Sequence, residues 1–181
     1  KNTIITIASK FIILLLNFAL VVFSTHLWGS AGRGEIALII AYISVIILVS
    51  NVFCGSTVSY HASKLDPGSL LPFSFLGAFL ISLGGGLLFS VFLHFKYFPY
   101  LFGISLMLSL TTSISSYWLG KSNIIKYNLL TLLLPLLFLT TLTVMSFFLK
   151  IPGTQTYFKA YLTGSCIVLF IGVLTIIHEK K

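Results

Sequence analysis

Six long apolar stretches take up most of this chain, and its few charges fall at their ends. A helix needs about 20 apolar residues to cross roughly 30 Å of hydrocarbon at 1.5 Å per residue. The stretches at 4–28, 36–60, 71–95, 97–118, 124–149 and 158–177 all reach that length. With 57% hydrophobic and 8% charged residues, the chain has too few polar side chains to coat a water-soluble globule. It is expected to form an all-α, polytopic transmembrane helix bundle of six spans, with residues 1–181 as a single domain. The two-residue alternation of barrel strands is absent, which leaves helices as the spanning element.

Eleven Lys and Arg stand against three acids. The cations are scattered singly through the connections, without the clustered face that nucleic acid requires, so no nucleic-acid partner is expected. They report topology. With the amino terminus in the cytoplasm, Lys1, Lys10, Lys64, Lys121, Lys126, Lys180 and Lys181 lie inside and Arg33, Lys96, Lys150 and Lys159 outside, the bias expected of that orientation. An even number of spans puts both ends of the segment on one side. Its first residue is not Met, its first apolar run is too long for a cleaved signal, and the chain stops just past a span. A segment of a longer protein is therefore expected. Cys54 and Cys166 lie within spans and are read as small hydrophobes.

Pro67-Gly68, Pro99 and Pro152-Gly153 fall in the expected connections, whereas Pro135 predicts a kink inside the fifth span. Trp28, Trp118, Tyr60, Tyr97, Tyr100, Tyr117, Tyr127, Tyr157 and Tyr161 sit near span ends, at the headgroup level, while Tyr42 lies well inside. Ala78, Ser82, Gly86 and Ser90 recur every four residues and mark a stripe where another helix can come close. Ser105, Ser109 and Ser113, with Thr112 and Ser116 slightly rotated, form a hydroxyl stripe on the fourth span. It either packs on a neighbour or faces a wet cavity. Gly84-Gly85-Gly86 reads equally as a flexible point or a tight packing surface.

The sequence argues against an enzyme. Glu35, Asp66 and Glu179 lie outside the apolar cores, so no paired intramembrane carboxylates are available. Ser56, Ser59 and His61 crowd the end of the second span without a nucleophile motif. His26, His61, His94 and His178 show no metal-ligand spacing, and neither metal nor cofactor is expected. Polar groups inside spans are more informative, because an unpaired amide in hydrocarbon costs a few kcal/mol. Asn17 and Asn51 are such groups, satisfied by an interhelical hydrogen bond or a water-filled cavity. Lys10 lies about two turns into the first span; its ammonium either snorkels to the interface or faces an anionic substrate.

The segment from Phe18 to Lys64 contains an apolar helix, Leu27-Trp28-Gly29-Ser30-Ala31-Gly32-Arg33-Gly34-Glu35, a second helix, and Cys54-Gly55-Ser56-Thr57-Val58-Ser59-Tyr60-His61-Ala62-Ser63-Lys64. It resembles the amino-terminal region of polysaccharide flippases of the multidrug/oligosaccharidyl-lipid/polysaccharide exporter superfamily. There, a Gly-rich turn follows the first helix, and the second ends in a Tyr- and Ser-rich segment. Gly120-Lys121-Ser122-Asn123 before the fifth helix extends the likeness.

The resemblance implies twelve to fourteen helices in two six-helix lobes around a central cavity, of which this chain looks like the first. A second lobe or another copy is the implied partner, together with membrane lipids. The implied activity is flipping of a polyprenyl-diphosphate-linked oligosaccharide across the bacterial cytoplasmic (inner) membrane for cell-surface polysaccharide or lipopolysaccharide biosynthesis. In that reading Lys10, Asn17 and Asn51 line the substrate cavity, and Arg33 and Lys64 sit at opposite mouths, where topology and solubility also account for them. The absence of intramembrane carboxylates counts against proton coupling within this lobe; groups in a missing lobe, sodium bound by hydroxyls and carbonyls, or the substrate gradient remain.

Two other classes fit six spans in this length. One is a small substrate-binding membrane subunit of a vitamin importer, whose first helix would carry a small-residue docking motif that Ala8 and Ala19 do not supply. The other is a membrane scaffold, which gives no reason for Asn and Lys within the spans.

Overall fold

The computed structural model describes residues 2–93, 95–148 and 153–179, and the side chains of Asn2, Thr3, Phe148 and Glu179 are outside the description. Lys1, His94, Leu149, Lys150, Pro152, Lys180 and Lys181, on which parts of the span and topology reading fall, lie outside the described residues. The described residues form helices α1 (Asn2–Asn51), α2 (Thr57–His61), α3 (Pro67–Leu93), α4 (Phe98–Gly120), α5 (Ile124–Thr143) and α6 (Gln155–Glu179). Wide π-turns occupy Val52–Ser56 and Val144–Phe148, and a 3-10 turn occupies Phe95–Tyr97. In hydrocarbon the backbone must satisfy its own hydrogen bonds, which favours this all-helical outcome.

Five helical stretches are long and apolar enough to cross a membrane: Ile4–His61, Pro67–Leu93, Phe95–Gly120, Ile124–Phe147 and Gln155–His178. The first takes in both of the first two expected spans. The connection expected between them is helical on either side of Gly29, whose φ of 66° breaks the helix at one residue. Ile13, Asn17 and Ile40 nevertheless line one cavity. In an unbroken helix Ile13 and Ile40 would stand about 40 Å apart. The chain therefore folds back at Gly29, and a first limb (2–28) runs beside a second (30–51).

The corner is held by polar contacts. Glu35 accepts from the Tyr97 hydroxyl at 2.5 Å and from the Thr154 hydroxyl at 2.9 Å, joining the second limb to the starts of α4 and α6. At the far end of the bundle, Asn123 caps α5 by accepting from the Lys126 amide at 3.2 Å, after Ser122 turns with φ 58°. Pro67 opens α3 and Pro99 lies in the first turn of α4, where a missing N–H costs little. Pro135 is buried inside α5.

The stripe on α3 is a packing surface. Ala78, Ser82 and Ser90 are fully buried, and a Cβ on Gly86 would meet the Phe102 backbone at 3.4 Å. Gly85 lies under Ile46, so the triple glycine belongs to an unbroken helix packed on both α1 and α4. Two apolar clusters complete the core. Ile36, Ile39, Ile43, Leu101, Ile104 and Phe158 gather toward the Gly29 corner, and Val58, Ile114, Trp118, Leu130 and Val168 gather toward the opposite end. Trp118 lies near its span end but is buried in protein rather than in headgroups; its indole N–H donates to Thr175 at 3.1 Å, and Lys126 Nζ sits 3.6 Å from its ring centroid.

Candidate functional site

The second limb of α1 passes into the π-turn at Val52–Ser56, and the geometry there follows from Asn51 and Gly55. A Cβ on Gly55 would fall 1.8 Å from Asn51 Oδ1, so only glycine leaves room for that amide. A π-turn displaces the helical hydrogen-bond ladder by one residue, and neighbouring hydroxyls bond to its carbonyls. Thr57 Oγ1 donates to the Val52 carbonyl at 2.6 Å, and Ser74 Oγ donates to the Phe53 carbonyl at 3.3 Å. Ser74 also meets Ser113 at 2.7 Å, while Cys54, free and buried, meets Ser50 at 3.3 Å.

Beside this turn lies a cavity of about 530 Å³ between α1, the π-turn, α2, α4 and α5. Asn51, Ser56 and Ser59 line one wall; Thr111, Thr112, Ser115 and Ser116 line the second. Tyr127, Leu130 and Thr131 close the third. A second cavity, of about 340 Å³, is lined by Asn17 from the first limb, Arg33 and Ile40 from the second, Pro135 and Phe138 from α5, and Tyr157 and Tyr161 from α6. Thr131 and Leu134 line both, so the two chambers adjoin there. Along the second limb and α2 they extend from Arg33 to Ser59, about 39 Å at helical rise, against about 30 Å of hydrocarbon.

Arg33 is half-buried with neutral partners: Nη1 donates to Ser24 Oγ at 3.3 Å, and the guanidinium faces Tyr157, which lines the same chamber. Ser24 gives its own proton to the Val21 carbonyl at 3.0 Å and so accepts from Arg33 through a lone pair. Phe138 stacks on Tyr161 with ring centroids 4.4 Å apart and meets Tyr157 edge-on at 4.9 Å, which fixes the aromatic wall of this chamber.

The five residues singled out from sequence fall in different places. Asn17 lines the Arg33 chamber and Asn51 the hydroxyl chamber. Lys10 is exposed and lines neither; its Nζ lies 5.6 Å from the ring centroid of Tyr127, which borders the hydroxyl chamber. Lys64 is exposed and folds onto Tyr60 of its own segment, 4.8 Å from the ring centroid. Sequence reasoning missed Thr111, Ser115 and Thr131, and it read Tyr127, Tyr157 and Tyr161 only as interfacial aromatics. The neighbouring pairs Thr111/Ser115 and Thr112/Ser116, each four apart, were the available signal. It also passed over Asn128, which is buried and donates to Thr6 Oγ1 at 3.1 Å, tying α5 to the first limb.

A third, outward cavity lined by Phe18, Val22, Phe23, His26 and Leu139 is mostly apolar. Among the described residues no three His, Cys, Asp or Glu side chains converge to hold a metal ion. The chain matches no family model, no curated protein and no solved structure.

Proposed function

We propose that this chain is one six-crossing lobe of a flippase that moves a polyprenyl-diphosphate-linked oligosaccharide across a bacterial cytoplasmic membrane, with both of its ends on the cytoplasmic side. The observation that supports this most is the pair of adjoining chambers extending from Arg33 to Ser59, whose partly apolar walls carry hydroxyls, two amides and a guanidinium. A diphosphate and its sugars cross hydrocarbon only along a polar path, and hydroxyls, amides and one guanidinium supply such a path. Glu35 is turned to Tyr97 and Thr154, and Asp66 is exposed between α2 and α3, so that among the described residues no carboxylate lines either chamber. Asn17 and Asn51, exposed on the bundle yet inside the apolar length, need water or protein opposite them. A second lobe or a second copy supplies that cover. The fold-back at Gly29 counts the first stretch as two crossings, which makes six.

Reconstitution tests the reading. Full-length protein in vesicles loaded with a fluorescent polyprenyl-diphosphate oligosaccharide is expected to make the inner-leaflet fraction accessible to an external quencher. Accessibility no greater than in protein-free vesicles sinks the proposal. For the crossing count, Ser30→Cys and Ser63→Cys should be labelled from opposite sides by an impermeant thiol reagent; labelling from one side removes the sixth crossing.

A further inference from the structure

Resting on the flippase reading, we infer that the two chambers divide the substrate by charge: the Arg33 chamber takes the diphosphate, and the hydroxyl chamber takes an uncharged oligosaccharide and disfavours one that carries carboxylates. The contrast between the linings carries this. In the first chamber a half-buried guanidinium donates to Ser24 and faces Tyr157, both neutral, and no carboxylate lines the chamber among the described residues, which leaves its positive charge available to an anion. Asn17 and Thr131 add neutral polar groups beside it.

Among the described residues, no Lys, Arg, Asp, Glu or His lines the hydroxyl chamber. Its threonines are also oriented. Thr111 and Thr112 give their protons to the Met107 and Leu108 carbonyls, each at 2.8 Å, and Thr131 gives its proton to the Tyr127 or Asn128 carbonyl at 3.1 or 3.0 Å. Their lone pairs are thereby left for the cavity. The threonine lone pairs accept from sugar hydroxyls and repel a carboxylate, which would find only the neutral donors of Asn51 and the serines, and no cation in the lining, to replace its hydration. The volume of about 530 Å³ lies within the range of small-ligand sites and suits a short oligosaccharide. Lys10 is not among the lining residues; its ammonium rests on the Tyr127 ring.

Calorimetry on the full-length protein in nanodiscs tests the division with three probes: geranyl diphosphate, geranyl diphosphate carrying a neutral trisaccharide of hexoses, and the same trisaccharide with its terminal hexose oxidised to a uronic acid. The neutral glycan is expected to bind about tenfold more tightly than the uronic acid probe. Arg33→Gln should weaken all three by about tenfold, and Thr112→Lys should bring the acidic probe to within about threefold of the neutral one. Equal or tighter binding of the acidic probe overturns the charge division while the flippase reading stands. Geranyl diphosphate binding that survives Arg33→Gln in full overturns the anion assignment. If no probe binds the wild-type protein, the flippase reading falls and takes the inference with it. Should Thr112→Lys fail to fold, the wild-type contrast between the two glycans still decides.

Discussion

Helix α4 presents hydroxyls on two faces, and the faces have opposite fates. On one, Ser105, Ser109 and Ser113 are buried against the small-residue stripe of α3, where Ser113 meets Ser74 at 2.7 Å. On the other, Thr111, Thr112, Ser115 and Ser116 look into the larger chamber. The residue types are nearly the same. What differs is the partner: α3 brings small residues every four positions and closes to contact, whereas α1 and α5 diverge around Asn51 and Tyr127 and leave a gap. A hydroxyl in a membrane helix is therefore neither a packing residue nor a pore residue by itself; the size of what stands opposite decides.

Substitutions can break this contrast. Gly86→Leu, forced against the Phe102 backbone, is expected to cost about 3 kcal/mol, whereas Thr112→Leu on the chamber side should cost less than about 1 kcal/mol and instead obstruct transport. Equal unfolding midpoints for the two variants would show that α4 has no dry side. Ser74→Ala removes a partner from both the Phe53 carbonyl and Ser113, and should lower stability by about 1–2 kcal/mol in a denaturant titration. Trp118→Phe loses the bond to Thr175 and should cost about 1 kcal/mol by the same measurement. Thiol labelling sharpens the contrast without perturbing it. In a Cys166→Ser background, Thr112→Cys should react with a water-soluble reagent at least about tenfold faster than Ser109→Cys, since reactivity follows access. Equal rates would put water on both faces.

The parts of this arrangement legible in the sequence were those with a period. Four-residue spacing marked the α3 stripe, and the apolar runs marked the helices. A turn near Gly29 was legible, but the helix that resumes directly after it was not, because Gly29-Ser30-Ala31-Gly32-Arg33-Gly34 has the composition of a loop. It stays helical after Gly29 because Gly32 fits against Trp28 and Thr154, and because Glu35 finds two hydroxyl partners from distant segments. The chambers were half legible. Asn17 and Asn51 stood out as amides in apolar surroundings, but Tyr157 and Tyr161 carry the same signature as headgroup aromatics, and only the fold turns them inward. Arg33 looked like a topology marker because its partners, Ser24 and Tyr157, are hydroxyls that no charge pattern advertises.

The π-turn at Val52–Ser56 bears on how the second limb can change in length. One extra residue in a turn advances everything beyond it by about 100° of helical phase. Ser59 owes its place in the chamber wall to that advance, and so does the close seat of Gly120, whose Cβ would lie 2.3 Å from the Ser59 carbonyl. Deleting a single residue from 52–56 would keep the helix and its hydropathy while rotating α2 away from both. Within the segment the Asn51 amide fixes Gly55 by identity, and the phase of α2 fixes the rest by count.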